Sequence, residues 1–140
     1  MQLQIISDIH LNFHNDGGDS FLDSVPVKAN YLILAGDISE HKTLIKSLHK
    51  VCARWNKVIL VLGNHDYYGS SVEETRKLVL RYKPKNCEFL YNEKRIIDGM
   101  PFFGGTMWFR HDPRRQKAGS QQSRNRHHMQ PNHPCPGLFV

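Results

Sequence analysis

At 140 residues and 39% hydrophobic content the chain is sized for one domain, and its longest apolar runs, Tyr31–Ala35 and residues 58–62, are far too short to span a membrane. Cys52, Cys87 and Cys135 form no CxxC pair and no basic leader opens the chain, which argues against a disulfide framework and for a reducing, cytoplasmic setting. The net charge of +6 is unevenly placed: residues 1–109 hold 13 Lys and Arg against 12 Asp and Glu, whereas residues 110–140 hold six against Asp112 alone.

Short apolar runs alternate with longer amphipathic ones from the N-terminus, the pattern of β-α-β units around a largely parallel sheet. Leu3–Ile6 reads as the first strand, Tyr31–Ala35 as the second and residues 57–62 as the third. The turn-rich Asn15-Asp16-Gly17-Gly18-Asp19 after the first strand reads as turn chemistry, ahead of a calcium site. Leu44, Ile45, Leu48, Val51, Cys52 and Trp55 make one helical stripe, with Lys42, Lys46 and Lys50 off it and Trp55 in the core. Ser71-Val72-Glu73-Glu74 is a capping-box pattern that opens a helix with Val72, Leu78, Val79 and Tyr82 as its apolar face, ended by Pro84. Residues 88–91, 95–97 and 101–103 are shorter strand candidates, expected to begin a second sheet as a meander. The folding unit is predicted to be residues 1–109.

Three motifs follow the three strands: Asp8-Ile9-His10, Gly36-Asp37 and Gly63-Asn64-His65-Asp66. Ligands of open α/β folds gather at the carboxyl edge of the strands, where all three motifs fall. Asp8 and His10, two apart on an extended chain, point to one side and can share an ion between a hard oxygen and an imidazole nitrogen. Asp37 can bridge two ions through its two oxygens, and Asn64 offers an amide oxygen to the second. Gly63 permits a tight backbone turn. His14, His41 and His49 carry no motif spacing and read as surface or helix-face residues.

In order and context these residues resemble the calcineurin-like metallophosphoesterase family, whose pattern runs DxH, GD, GNH[DE], then a later His, then GHxH. The resemblance covers roughly residues 1–109, including the strand and turn that end in Trp108. It implies an α/β fold, a metallophosphoesterase-type β-sandwich flanked by helices, of which this chain carries the N-terminal β-α-β-α-β half. It further implies a phosphoester substrate and two divalent ions, manganese ahead of iron or zinc, with Asp8 and His10 on the first, Asp37 between them and Asn64 on the second. His65 then sits near substrate as the catalytic histidine, with Asp66 fixing its tautomer from behind. The implied chemistry is in-line attack of a metal-activated water on phosphorus.

The chain also departs from the pattern. After Phe109 no apolar strand is followed by His and no Gly-His-x-His occurs, so one ion or none is expected to be retained at a truncated, incomplete site. One face of the first sheet is expected to lie bare, which a homodimer would cover. Between positions 111 and 137 the only hydrophobic residues are Ala118, Met129 and Cys135, a composition that reads as disorder or, given the abrupt change near Trp108, as a segment not native to this fold. His127, His128 and His133 have no preceding strand to aim them and read as solvated. The alternative function is a non-catalytic remnant or a module that binds nucleic acid or another anion through the basic tail.

Overall fold

A computed structural model describes residues 1–106 of the chain. The expected boundary near Phe109, Trp108 and the basic tail lie outside these residues.

The chain begins with strand β1 (Leu3–Ile6), a 3₁₀ turn at Leu11–Phe13 and a short helix α1 (Asp19–Ser24). Strand β2 (Tyr31–Ala35), helix α2 (His41–Cys52) and strand β3 (Lys57–Val61) follow. A second 3₁₀ turn (His65–Tyr67), helix α3 (Val72–Tyr82) and strands β4 (Cys87–Phe89), β5 (Glu93–Ile97) and β6 (Met100–Gly104) complete it. Strands β1 to β4 form one parallel sheet in chain order, so each crossover steps the same way. The expected mixed α/β architecture with a parallel sheet is present. Among the described residues no helix is long and apolar enough to cross a membrane.

Register puts Leu32 beside Val58 and Leu34 beside Leu60, then Cys87 and Phe89 beside those, and all six side chains are buried. The α2 stripe of Leu44, Leu48, Val51 and Cys52 is buried as well, with Trp55 just beyond it. In α3 the buried positions are Thr75 and Val79, while Tyr82, expected on the apolar face, is exposed. The predicted capping box is formed: Ser71 Oγ accepts from Glu74 N at 3.1 Å, and the Glu74 carboxylate accepts from Ser71 N at 3.3 Å. Two orphan donors of the first turn are thereby satisfied.

Two features differ from expectation. β4 does not start a second sheet but pairs in parallel with β3. Pro84 ends α3, and the Asn86 amide donates to the carbonyls of Cys52 and Trp55 at 2.8 and 2.9 Å, which returns the chain alongside β3. α1, too short to show a period, escaped the sequence pattern; Asp16 precedes it and accepts from Gly18 N and Ser20 N at 2.9 and 2.8 Å, the turn chemistry anticipated for that loop.

The second sheet is the β5–β6 hairpin, closed by Asp98 and Gly99, both at positive φ as a type I′ turn requires. It packs against the other face of the parallel sheet, where Ile59, Leu90 and Ile97 cluster with Ile33, Val61 and Phe102. Toward β1 that face is bare among the described residues, with Leu3 41% and Ile5 68% exposed.

Candidate metal centre

Three loops leave the carboxyl ends of β1, β2 and β3 and run side by side. Asp8 N donates to Gly36 O at 3.1 Å, His10 N to Asp37 O at 3.0 Å and Leu11 N to Ile38 O at 2.8 Å, so the first loop zips along the second. The second and third loops meet at their glycines. A Cβ on Gly36 would lie 2.7 Å from Gly63 N, and one on Gly63 would lie 2.1 Å from Asp37 Oδ1. Only glycine at both positions allows this approach, and Gly36 also takes φ +85°.

Asp66 binds the second and third loops together. Its side chain is fully buried, and its oxygens accept from Asp37 N (2.9 Å), Ile38 N (2.9 Å), Ser39 N (3.1 Å) and Gly63 N (2.8 Å). Burial raises its carboxyl from the usual value to about 6, against the pull of those donors. The expected use of Asp66, fixing the His65 tautomer, is not what the structure shows: His65 Nδ1 is buried without a hydrogen-bond partner. The carboxylate serves the backbone that carries Asp37.

Asp8, His10 and Asp37 all take positive φ, at 54°, 41° and 53°. This departs from the extended Asp8-His10 geometry expected from side-chain alternation. Ligand atoms of His10, Asp37 and His65 instead come within 4.8 Å of one another, and among the described residues this is the one group of three or more His, Cys, Asp or Glu so placed. Asp8 stands outside the trio and is exposed. The His10 and His65 rings meet edge to face at 4.6 Å.

The cluster fits a divalent cation held by His10 and Asp37 with the His65 ring beside it. Among the described residues His10 Nδ1 and His65 Nδ1 are both buried with no partner, a state that costs about 1–3 kcal/mol per group unless a ligand satisfies it. Imidazole and carboxylate donors suit manganese, iron or zinc alike. His65 N donates to Asp37 Oδ1 at 2.9 Å, leaving Oδ2 open. Asn64, next in the third loop, donates from Nδ2 to the Tyr68 hydroxyl at 3.2 Å.

Tyr68 and Phe13, not singled out from sequence, flank the trio. The Tyr68 ring lies 4.4 Å from that of His65, and the Phe13 ring 5.6 Å from that of His10. Tyr68 was within reach of sequence reasoning, since a 3₁₀ turn opening at His65 returns the chain three residues later beside it. The other histidines among the described residues serve elsewhere. His14 meets Ile9 O at 3.2 Å, while His41 bonds Thr75 Oγ1 at 2.8 Å and His49 bonds Tyr82 O at 3.0 Å, linking α2 to α3.

Comparison with known proteins agrees with this geometry. The sequence model of the calcineurin-like phosphoesterase family matches residues 1–133, past the Phe109 limit read from the motifs. Uncharacterized protein L509 of Acanthamoeba polyphaga mimivirus is 29% identical over 122 residues, a match that takes in 76% of this chain and 44% of that protein. The chain therefore spans less than half the length of this relative.

Proposed function

From the premise that the chain belongs to the calcineurin-like phosphoesterase family, we propose that it hydrolyses phosphate monoesters or diesters at the His10, Asp37 and His65 cluster with a divalent ion, manganese first among the candidates. The observation that supports this best is the convergence of the His10, Asp37 and His65 side chains from three strand ends, with a buried imidazole nitrogen on each histidine unpartnered among the described residues. Bound there, the ion would supply Lewis acidity toward a phosphoryl oxygen and make a water acidic enough to attack near neutral pH. His10 and Asp37 would hold it, with Asp8 closing on the same ion. Asp37 would also face a second ion beside the Asn64 amide oxygen. His65 would meet the leaving oxygen and protonate it or neutralise its charge. Asp66 would keep Asp37 in place through the backbone.

The test is hydrolysis of aryl phosphate monoesters and diesters by metal-stripped protein with manganese added back, set against Asp37→Ala. Metal-dependent turnover lost in the variant is expected. Its absence in a folded, monodisperse sample, or its persistence in Asp37→Ala, overturns the reading.

A second reading draws on charge: residues 110–140 carry six Lys and Arg against Asp112 alone. As an anion-binding or nucleic-acid-binding segment they would give salt-sensitive binding that disappears when they are deleted.

A further inference from the structure

Tyr68 makes two contacts at the metal cluster while 38% exposed, so neither is a by-product of burial in the core. Its N–H closes the 3₁₀ turn on His65 O at 3.0 Å, which fixes where the ring leaves the backbone. From there the ring lies against His65, 36° from parallel, and the hydroxyl oxygen receives Asn64 Nδ2.

A carboxamide has one end that can bind a cation and one that repels it. With Nδ2 engaged by the phenol, Oδ1 is turned the other way and accepts no hydrogen bond among the described residues. Asn64 has no other anchor for its amide: it sits at the start of the 3₁₀ turn without capping it through its side chain. The Tyr68 hydroxyl is therefore the one hydrogen-bond partner of the Asn64 side chain among the described residues.

We propose that Tyr68 is a positioning residue of the metal centre, its hydroxyl anchoring the Asn64 carboxamide beside His65 so that the amide is held ready for the cation. The proposal rests on the reading above in which Asn64 is a metal donor. Outer partners of metal ligands act in this way by restricting the ligand to its productive orientation before the ion arrives.

The experiment is calorimetric titration of the metal-stripped full chain with Mn²⁺, for the parent, Tyr68→Phe, Asn64→Ala and the double variant. Phenylalanine keeps the ring against His65 and removes the hydroxyl alone. The expected result is an affinity loss of about tenfold for Tyr68→Phe, with the unfolding midpoint unchanged. Asn64→Ala is expected to lose at least as much, and the double variant no more than Asn64→Ala, because the hydroxyl acts through the amide. Parent-like affinity in Tyr68→Phe, or losses that add in full in the double variant, overturns the proposal. If Asp37→Ala loses Mn²⁺ while Asn64→Ala keeps it, the metal centre stands and the role of Tyr68 falls. If Asp37→Ala also keeps it, the metal centre itself falls.

Discussion

The main-chain N–H of His65 donates to Oδ1 of Asp37 over 2.9 Å, so the loop after β3 holds the carboxylate of the loop after β2 through its backbone. The imidazole is free of that duty. Placement of Asp37 and chemistry by the His65 ring can therefore be separated by mutation.

His65→Ala is expected to retain Mn²⁺ binding and to lose about 10²- to 10⁴-fold in hydrolysis, the usual contribution of a general acid or base. Calorimetry beside single-substrate kinetics checks this. Loss of Mn²⁺ affinity in step with activity would instead make the ring a ligand.

Asp66→Ala removes the acceptor of four backbone donors, three of them on Asp37, Ile38 and Ser39. Each buried N–H left unpaired costs about 1–3 kcal/mol. Partial rehydration through the space vacated offsets some of this, and a loss on the order of 4 kcal/mol is expected by urea unfolding. Asp66→Asn keeps one acceptor oxygen but turns an NH₂ toward two donors, so it should recover little. A variant as stable as the parent would show that these bonds carry no weight.

The Asp66 carboxyl, raised to about 6 by burial, gives a pH signature in the metal-free protein. Its folded value lies above its unfolded one, so the folded state favours the neutral acid. The associated stability is complete below the unfolded value, near 4, and is lost as pH rises through about 6. Two pKa units correspond to about 3 kcal/mol. Urea midpoints from pH 4 to 7, compared with Asp66→Asn, follow this directly, and carbon-detected titration of the carboxyl gives the value itself. A carboxylate still ionised at pH 4 would mean that its four donors outweigh desolvation.

Gly63→Ala places a methyl 2.1 Å from Asp37 Oδ1 and 2.6 Å from Asp37 N. The loop must move, and because the intruding contacts include backbone, a loss of about 1–3 kcal/mol is expected. Mn²⁺ affinity should fall with it, since the displaced carboxylate is a proposed metal ligand. Gly99→Ala is the contrasting case: its Cβ meets nothing within 4 Å, and only the positive φ of the hairpin turn resists it. That variant should lose stability and keep affinity.

The first three strands were legible because each is a short apolar run stopped by a polar or glycine-containing motif, and the capping box because its signature is local. β4 was misplaced because Cys87 and Phe89 look the same in a parallel or a meandering strand; the Asn86 bonds that decide the matter reach back 31 and 34 residues. The motifs led to His10, Asp37 and His65, but the role of Asp66 depends on backbone donors 27–29 residues away, which leave no trace in residue type. Likewise, the left-handed backbone at Asp8 and His10 is imposed by the bonds to Gly36 and Asp37, a tertiary effect that an alternating pattern does not contain.

Left-handed conformations cost non-glycine residues of order 1–3 kcal/mol apiece when held by their surroundings. In this chain Asp8, His10 and Asp37 stand in that state, where glycine would rest at ease. Glycine at any of the three should thus lighten the fold while emptying the centre of a donor. Stability and the proposed metal binding therefore pull in opposite directions at the same three positions.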